Sequence, residues 1–98
     1  MENYSLPTDT EFDWNTEKNS WLFTHRGLRF EDAIKAMATG GLLEIVTQPA
    51  TSRYPNQKIF VIDIGGYAHL VPFVEYSSGY FLKTIIPSRR ATRKYLRH

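Results

Sequence analysis

Two apolar runs, residues 58–64 and 67–74, meet across Gly65-Gly66, and no other stretch limits the fold of this chain as tightly. Both runs are rich in β-branched and aromatic residues, and two adjacent glycines take the positive φ angles of a tight hairpin turn at no steric cost. The sequence therefore predicts a long antiparallel hairpin. Pro72 falls inside the second arm, where it cannot donate to a ladder; the strand either bulges there or presents that position at an edge. Residues 43–47 also alternate with period two, and residues 48–57 form a long polar loop before the hairpin. After the turn residues Tyr76-Ser77-Ser78-Gly79, a further strand is expected over residues 80–86.

The first half of the chain changes period. Phe12 and Trp14 alternate as in a short strand, and Asn15 or Thr16 can cap a helix over residues 17–25 that buries Trp21 and Leu22 and stops at Gly27. A second helix fits residues 30–39: Phe30, Ala33, Ile34 and Met37 share a face, Glu31 and Asp32 lie in the first turn, and Gly40-Gly41 ends it. Trp14 and Trp21, beside Leu22 and Phe23, read as core. The order is β-α-α-β-β-β-β-α, an α+β fold. Its 98 residues suffice for one core, so residues 11–98 are read as a single domain and residues 1–10 as a flexible lead-in. There is no cysteine, which removes disulfides and thiolate zinc sites and fits a reducing cytoplasm. The apolar runs are strand-sized and the first residues lack a basic leader, so a soluble cytoplasmic protein without membrane association, metal or cofactor is expected.

Charge is divided unevenly. Residues 1–75 hold ten carboxylates and six Lys or Arg, whereas residues 76–98 hold six Lys or Arg and no carboxylate. Ser88 is a good N-cap, and the residues after it set Arg89, Arg93 and Arg97 at i, i+4 and i+8, with Arg90 and Lys94 alongside. Such a basic stripe suits a phosphate or an acidic partner. Five carboxylates and no cation occupy residues 1–17, a segment that would either cover the basic end or repel a phosphate backbone.

Three blocks in order, 12–19 (Phe-Asp-Trp-Asn-Thr-Glu-Lys-Asn), 26–33 (Arg-Gly-Leu-Arg-Phe-Glu-Asp-Ala) and 85–95 (Ile-Ile-Pro-Ser-Arg-Arg-Ala-Thr-Arg-Lys-Tyr), resemble the BrnT-type ribonuclease toxins of bacterial type II toxin–antitoxin pairs. The most specific piece is Ser-Arg-x-Ala-Thr after an Ile-rich strand. The resemblance implies a RelE-like domain, with two N-terminal helices packed on a four-stranded, mainly antiparallel sheet and a short basic C-terminal helix. It also implies metal-independent RNA cleavage that halts translation, and a small DNA-binding antitoxin encoded by the neighbouring gene, bound to the toxin as a monomer or small oligomer. The chain departs from the family in having His25-Arg26 where Lys-His commonly precedes the glycine, Gln57-Lys58 where arginines are usual, and Arg29 where a serine usually caps the second helix.

Cutting RNA without a metal requires a base for the 2′-OH, cations for the charge gathering on the phosphoryl oxygens, and an acid for the departing 5′-oxygen. The candidate catalytic residues are His25, Arg89, Arg90, Lys18 and Glu31; His25 serves as base or acid, Asp32 and Glu31 as alternative bases. Arg26, Arg53, Lys58, Lys83, Arg93 and Lys94 are candidate RNA-phosphate ligands, and Tyr54 and Tyr76, in or next to loops, are candidates for base stacking. His69 alternates with Tyr67 and Val71 and reads as a sheet-face residue. Two other functions fit the same residues: a non-catalytic module whose basic helix binds an acidic protein or nucleic acid, and an interaction domain that pairs through an exposed strand edge near Pro72.

Overall fold

The computed structural model describes residues 6, 7 and 9–97. In chain order the elements are β1 (Glu11–Trp14), α1 (Thr16–Arg26), α2 (Phe30–Ala38), β2 (Leu42–Thr47), β3 (Gln57–Ile64), β4 (Tyr67–Tyr76), β5 (Gly79–Leu82), β6 (Ile86–Pro87) and α3 (Arg89–Tyr95). Helix α1 is capped by Asn15, whose side chain accepts from the Lys18 N–H at 2.9 Å, and is ended by Gly27 at φ 69°. Gly65 and Gly66, at φ 63° and 86°, turn β3 into β4 as the glycine pair requires. Of the expected lead-in, residues 1–5 and 8 lie outside the described residues. Leu6 packs half-buried against the core, and Thr10 bonds back to the Pro7 carbonyl through both its N–H and its hydroxyl.

The sheet has six strands in place of the expected four, ordered β1-β5-β4-β3-β2 with β6 also on β4. Two features account for the difference. Strand β1 joins the sheet as a parallel neighbour of β5, the one parallel pair among the described strands. The expected strand over residues 80–86 is also broken in two. From Phe73 to Leu70 β4 advances three residues while its partner advances four, from Leu82 to Ile86, so one extra residue bulges out between β5 and β6. Pro72 lies opposite that break, its carbonyl accepting from the Lys83 N–H at 2.8 Å. The position that lacks a donor thus faces the irregular stretch. Because β4 has neighbours on both sides, Pro72 is buried and the expected open edge there does not exist.

One face of the sheet carries α1 and α2. Leu22, Phe30, Ala33 and Met37 from the helices meet Leu42, Phe60, Ile62, Val71, Phe73, Leu82 and Ile85 from the strands. Trp14 stacks on Phe30, but Trp21 does not join this core and is 39% exposed, contrary to its expected burial. The other face carries α3 on a smaller cluster of Val61, Ala68 and Ala91. The N-cap of helix α2 is Arg29, which has no side-chain acceptor for the first turn. Asn19 of α1 supplies one instead: its Oδ1 accepts from the Phe30 N–H at 2.7 Å and its amide donates to Glu31 at 2.8 Å. Asn19→Ala is expected to cost about 1 kcal/mol, the usual worth of an N-cap, read as a lower urea midpoint with unchanged m-value.

Candidate nucleic-acid interface

Helix α3 is fixed by the residues of its own first block. The Ser88 hydroxyl accepts from the Ala91 N–H at 3.0 Å, and the Thr92 hydroxyl donates to the Ser88 carbonyl at 2.8 Å while accepting from the Ala68 N–H of β4 at 2.8 Å. Ala91 is buried against the sheet, where a larger side chain would lift the helix. Docking therefore occupies Ser88, Ala91 and Thr92 and leaves Arg89, Arg90, Arg93 and Lys94 exposed. Helix α3 ends at Tyr95, so Arg97 lies beyond it, yet Arg89, Arg93 and Arg97 still line one groove with Gly66 and Tyr67.

Helix α1, on the other face of the sheet, carries a second group of cations. The Arg26 guanidinium bonds the carbonyl of Ile85, tying the end of α1 to the chain between β5 and β6. From Ile85 the chain reaches Arg89 in four residues, a span of at most about 14 Å. On the outer face of α1, Trp21 stands between Lys18, whose ammonium is 4.1 Å from its ring centroid, and His25, whose ring stacks on it at 4.4 Å. The spacings i−3 and i+4 make these contacts a direct result of helical geometry. His25 Nδ1 lies 3.0 Å from the Trp21 carbonyl. In the neutral ring Nδ1 must then carry the proton, and Nε2 keeps the lone pair that a general base needs.

Other expected site residues are elsewhere. Lys58 is paired with Glu75 at 2.5 Å, the one ion pair among the described residues. Arg53 lies over Tyr54 in the β2–β3 loop, at the opposite end of β3 from the hairpin turn. Tyr76 ends β4 about 30 Å from Tyr67, judged from strand rise over ten residues. Asp9, Glu11 and Glu75 share its surface hollow. Desolvation, with Glu11 and Asp13 nearby, pushes its phenol above the usual range. A phosphodiester would be repelled there, and Tyr54, Arg53, Lys58 and Tyr76 all lie toward the end of β3 and β4 away from α3. Of the N-terminal acids, Asp9 and Glu11 line this far hollow, and among the described residues none pairs with an α3 cation. Lys83 lies between the two strand fragments, its ammonium 5.3 Å from the Phe81 ring centroid. Glu31 is exposed but engaged; the Asn19 amide, its own backbone N–H and the Arg29 charge hold its carboxyl below the usual range, which weakens it as a base.

His69 is 7% exposed, and its Nδ1 is 2.8 Å from the Tyr67 carbonyl. Burial lowers its pKa from 6.5, against the opposing pull of the Tyr67 carbonyl and Asp63. The unfolded chain therefore binds this proton more readily than the folded one, and stability should fall as pH drops below about 6.5 until the folded-state pKa is passed. The Glu31 contribution is lost in a lower window, below its ordinary 4.5. Urea unfolding at pH 7.5 and 5.5 should show the loss in the wild type and a smaller one in His69→Gln; equal losses would assign the effect to other groups.

Two residues near these cations have no role in the sequence-based list, Trp21 and Tyr67, whereas Arg97 was already placed on the basic stripe. The i−3 and i+4 cations around Trp21 were the signal for the first, whereas Tyr67 depends on where the hairpin meets α3. Among the described residues no three His, Cys, Asp or Glu side chains are grouped to hold a metal ion, and no helix is long and apolar enough to cross a membrane. Comparison with protein-family models, with curated proteins and with solved structures finds no match for this chain.

Proposed function

We propose that this protein is a RelE-like endoribonuclease of the BrnT type, the toxin of a type II pair, which cuts RNA without a metal and is neutralised by a small DNA-binding antitoxin from the neighbouring gene. One observation carries the reading. In the Ser-Arg-x-Ala-Thr block, three residues are consumed in docking α3, and the arginines beside them are left exposed.

In this reading His25 Nε2 removes the 2′-OH proton as the 2′-oxygen attacks phosphorus. The bond to the 5′-oxygen breaks, leaving a 2′,3′-cyclic phosphate and a 5′-hydroxyl. Arg89 and Arg90 hold the charge on the non-bridging oxygens, since each guanidinium presents paired donors to phosphate. Lys18, about two turns before His25, or the imidazolium itself returns a proton to the 5′-oxygen. A second reading, a binding module without catalysis, draws support from His25 being packed flat on Trp21.

The test is incubation of purified protein with labelled single-stranded RNA in EDTA, wild type beside the Arg89→Ala/Arg90→Ala double variant. The wild type should yield cyclic-phosphate ends and the variant none. Intact RNA from folded wild-type protein, both free and on ribosomes, would leave the binding module.

A further inference from the structure

The groove between α3 and the turn of the β3–β4 hairpin has a volume of about 490 Å³ and is lined by Gly66, Tyr67, Arg89, Thr92, Arg93, Leu96 and Arg97. Three of these seven residues are arginines and none is a carboxylate. No ion pair among the described residues reaches those guanidinium groups, and the acidic N-terminal strand lies at the other end of β4. Three like charges beside one recess repel one another, and an anion seated between them removes that repulsion. A guanidinium fork matches the oxygens of phosphate better than an ammonium does, which favours phosphate over a simple counter-ion.

Two further features narrow the ligand. Tyr67 is 38% exposed, and its ring meets His69 at 73° with centroids 5.8 Å apart, so no ring stacks on it among the described residues. Gly66 stands at the rim with φ 86°, and nothing lies within 4 Å of where a Cβ would project. The rim is therefore open to a chain passing over the hairpin turn. An aromatic ring next to spaced guanidinium groups is the arrangement that holds an unpaired nucleotide, its base on the ring and its phosphates on the cations.

We propose that this groove is a subsite for single-stranded RNA, in which Arg89, Arg93 and Arg97 hold consecutive phosphates and Tyr67 stacks on the adjoining base. The choice of RNA as ligand rests on the function proposed above; the groove's geometry supplies the binding mode. Since Arg89 belongs to both places, the subsite sets the register of the strand relative to His25 and the scissile phosphate.

Binding can be measured apart from cleavage with a fluorescent 2′-O-methyl oligonucleotide, which offers no 2′-OH to attack. Anisotropy titrations at several salt concentrations would compare the wild type with Tyr67→Leu, Tyr67→Phe, Arg93→Ala/Arg97→Ala and, as a control far from the groove, Arg53→Ala. Tyr67→Leu should weaken binding at least about fivefold and Tyr67→Phe less than about twofold. The Arg93→Ala/Arg97→Ala variant should bind more weakly and lose about 0.7 in the log–log salt slope for each phosphate contact removed. Arg53→Ala should match the wild type. Each protein's thermal unfolding is recorded first, and a variant that fails to fold is replaced by Arg93→Gln or Arg97→Gln alone. The proposal is overturned by an unchanged salt slope, by equal affinities of Tyr67→Leu and Tyr67→Phe, by duplex RNA binding as tightly as the single strand, or by no binding at all. RNA cleavage by the same variants, with binding unaltered, would sink the subsite and leave the nuclease standing.

Discussion

Phe60→Ala is expected to lower the free energy of unfolding by about 3–5 kcal/mol, the usual range for removing a fully buried phenylalanine. Phe60 has no exposed surface and lies at the centre of the sheet face that α1 and α2 cover. Its ring stacks on Phe73 with centroids 3.8 Å apart, and Tyr80 meets both rings edge-on at 5.4 and 5.1 Å. Removing it takes away contacts with both neighbours and leaves a cavity that three strands cannot close without changing register. A domain of this size commonly has only about 5–15 kcal/mol in hand, so the variant should lie near the limit of folding. Its melting temperature should fall by about 12 °C or more, at roughly 4–8 °C per kcal/mol. Phe81→Ala, on the opposite and partly exposed face, should cost clearly less. Similar losses for the two would mean that Phe60 is not the centre of the core.

Arg89→Ala should slow RNA cleavage by about 100- to 1000-fold, the usual effect of losing one donor to the developing phosphoryl charge. The loss should appear in kcat as well as in KM, because Arg89 holds both a phosphate of the bound strand and the charge that accumulates in the transition state. Arg89→Lys should recover only part of the rate: it restores a charge but not two parallel donors. Secondary structure should be unchanged, since Ser88, Ala91 and Thr92 dock the helix without Arg89. A loss smaller than about tenfold in single-turnover cleavage would remove Arg89 from the reacting phosphate.

The parts of the fold readable from sequence are those fixed by neighbouring residues. Gly65-Gly66 permits one kind of turn, Asn15 and Gly27 bound α1 by backbone chemistry, and Ser88 starts α3. Pro72 announced an irregularity, but its location on the opposing strand depended on which chain lay beside β4. The parallel pairing of β1 was not legible, because no local pattern in Phe12 and Trp14 identifies a partner near Tyr80 and Leu82. Nor could a list of cations show which share a surface. Lys58 and Arg53 resemble Arg93 and Lys94 as sequence, yet an ion pair neutralises the first and the length of β3 removes the second from α3. Trp21 was misjudged through its neighbour Leu22: the two differ by 100° on the helix, and only Leu22 points into the core.

Gly79 lies so close to β1 that an added Cβ would fall 2.1 Å from the Glu11 carbonyl oxygen. The contact joins positions 68 residues apart in sequence, with α1, α2 and three strands in between. During synthesis β1 emerges well ahead of β5, its strand partner among the described residues. The hairpin and α2 can associate before then, through contacts of shorter range, whereas β1 has to wait for a long loop to close. The slow step of assembly should therefore be the seating of the N-terminal strand, and a chain interrupted before Gly79 would carry an unpaired strand edge for other chains to find.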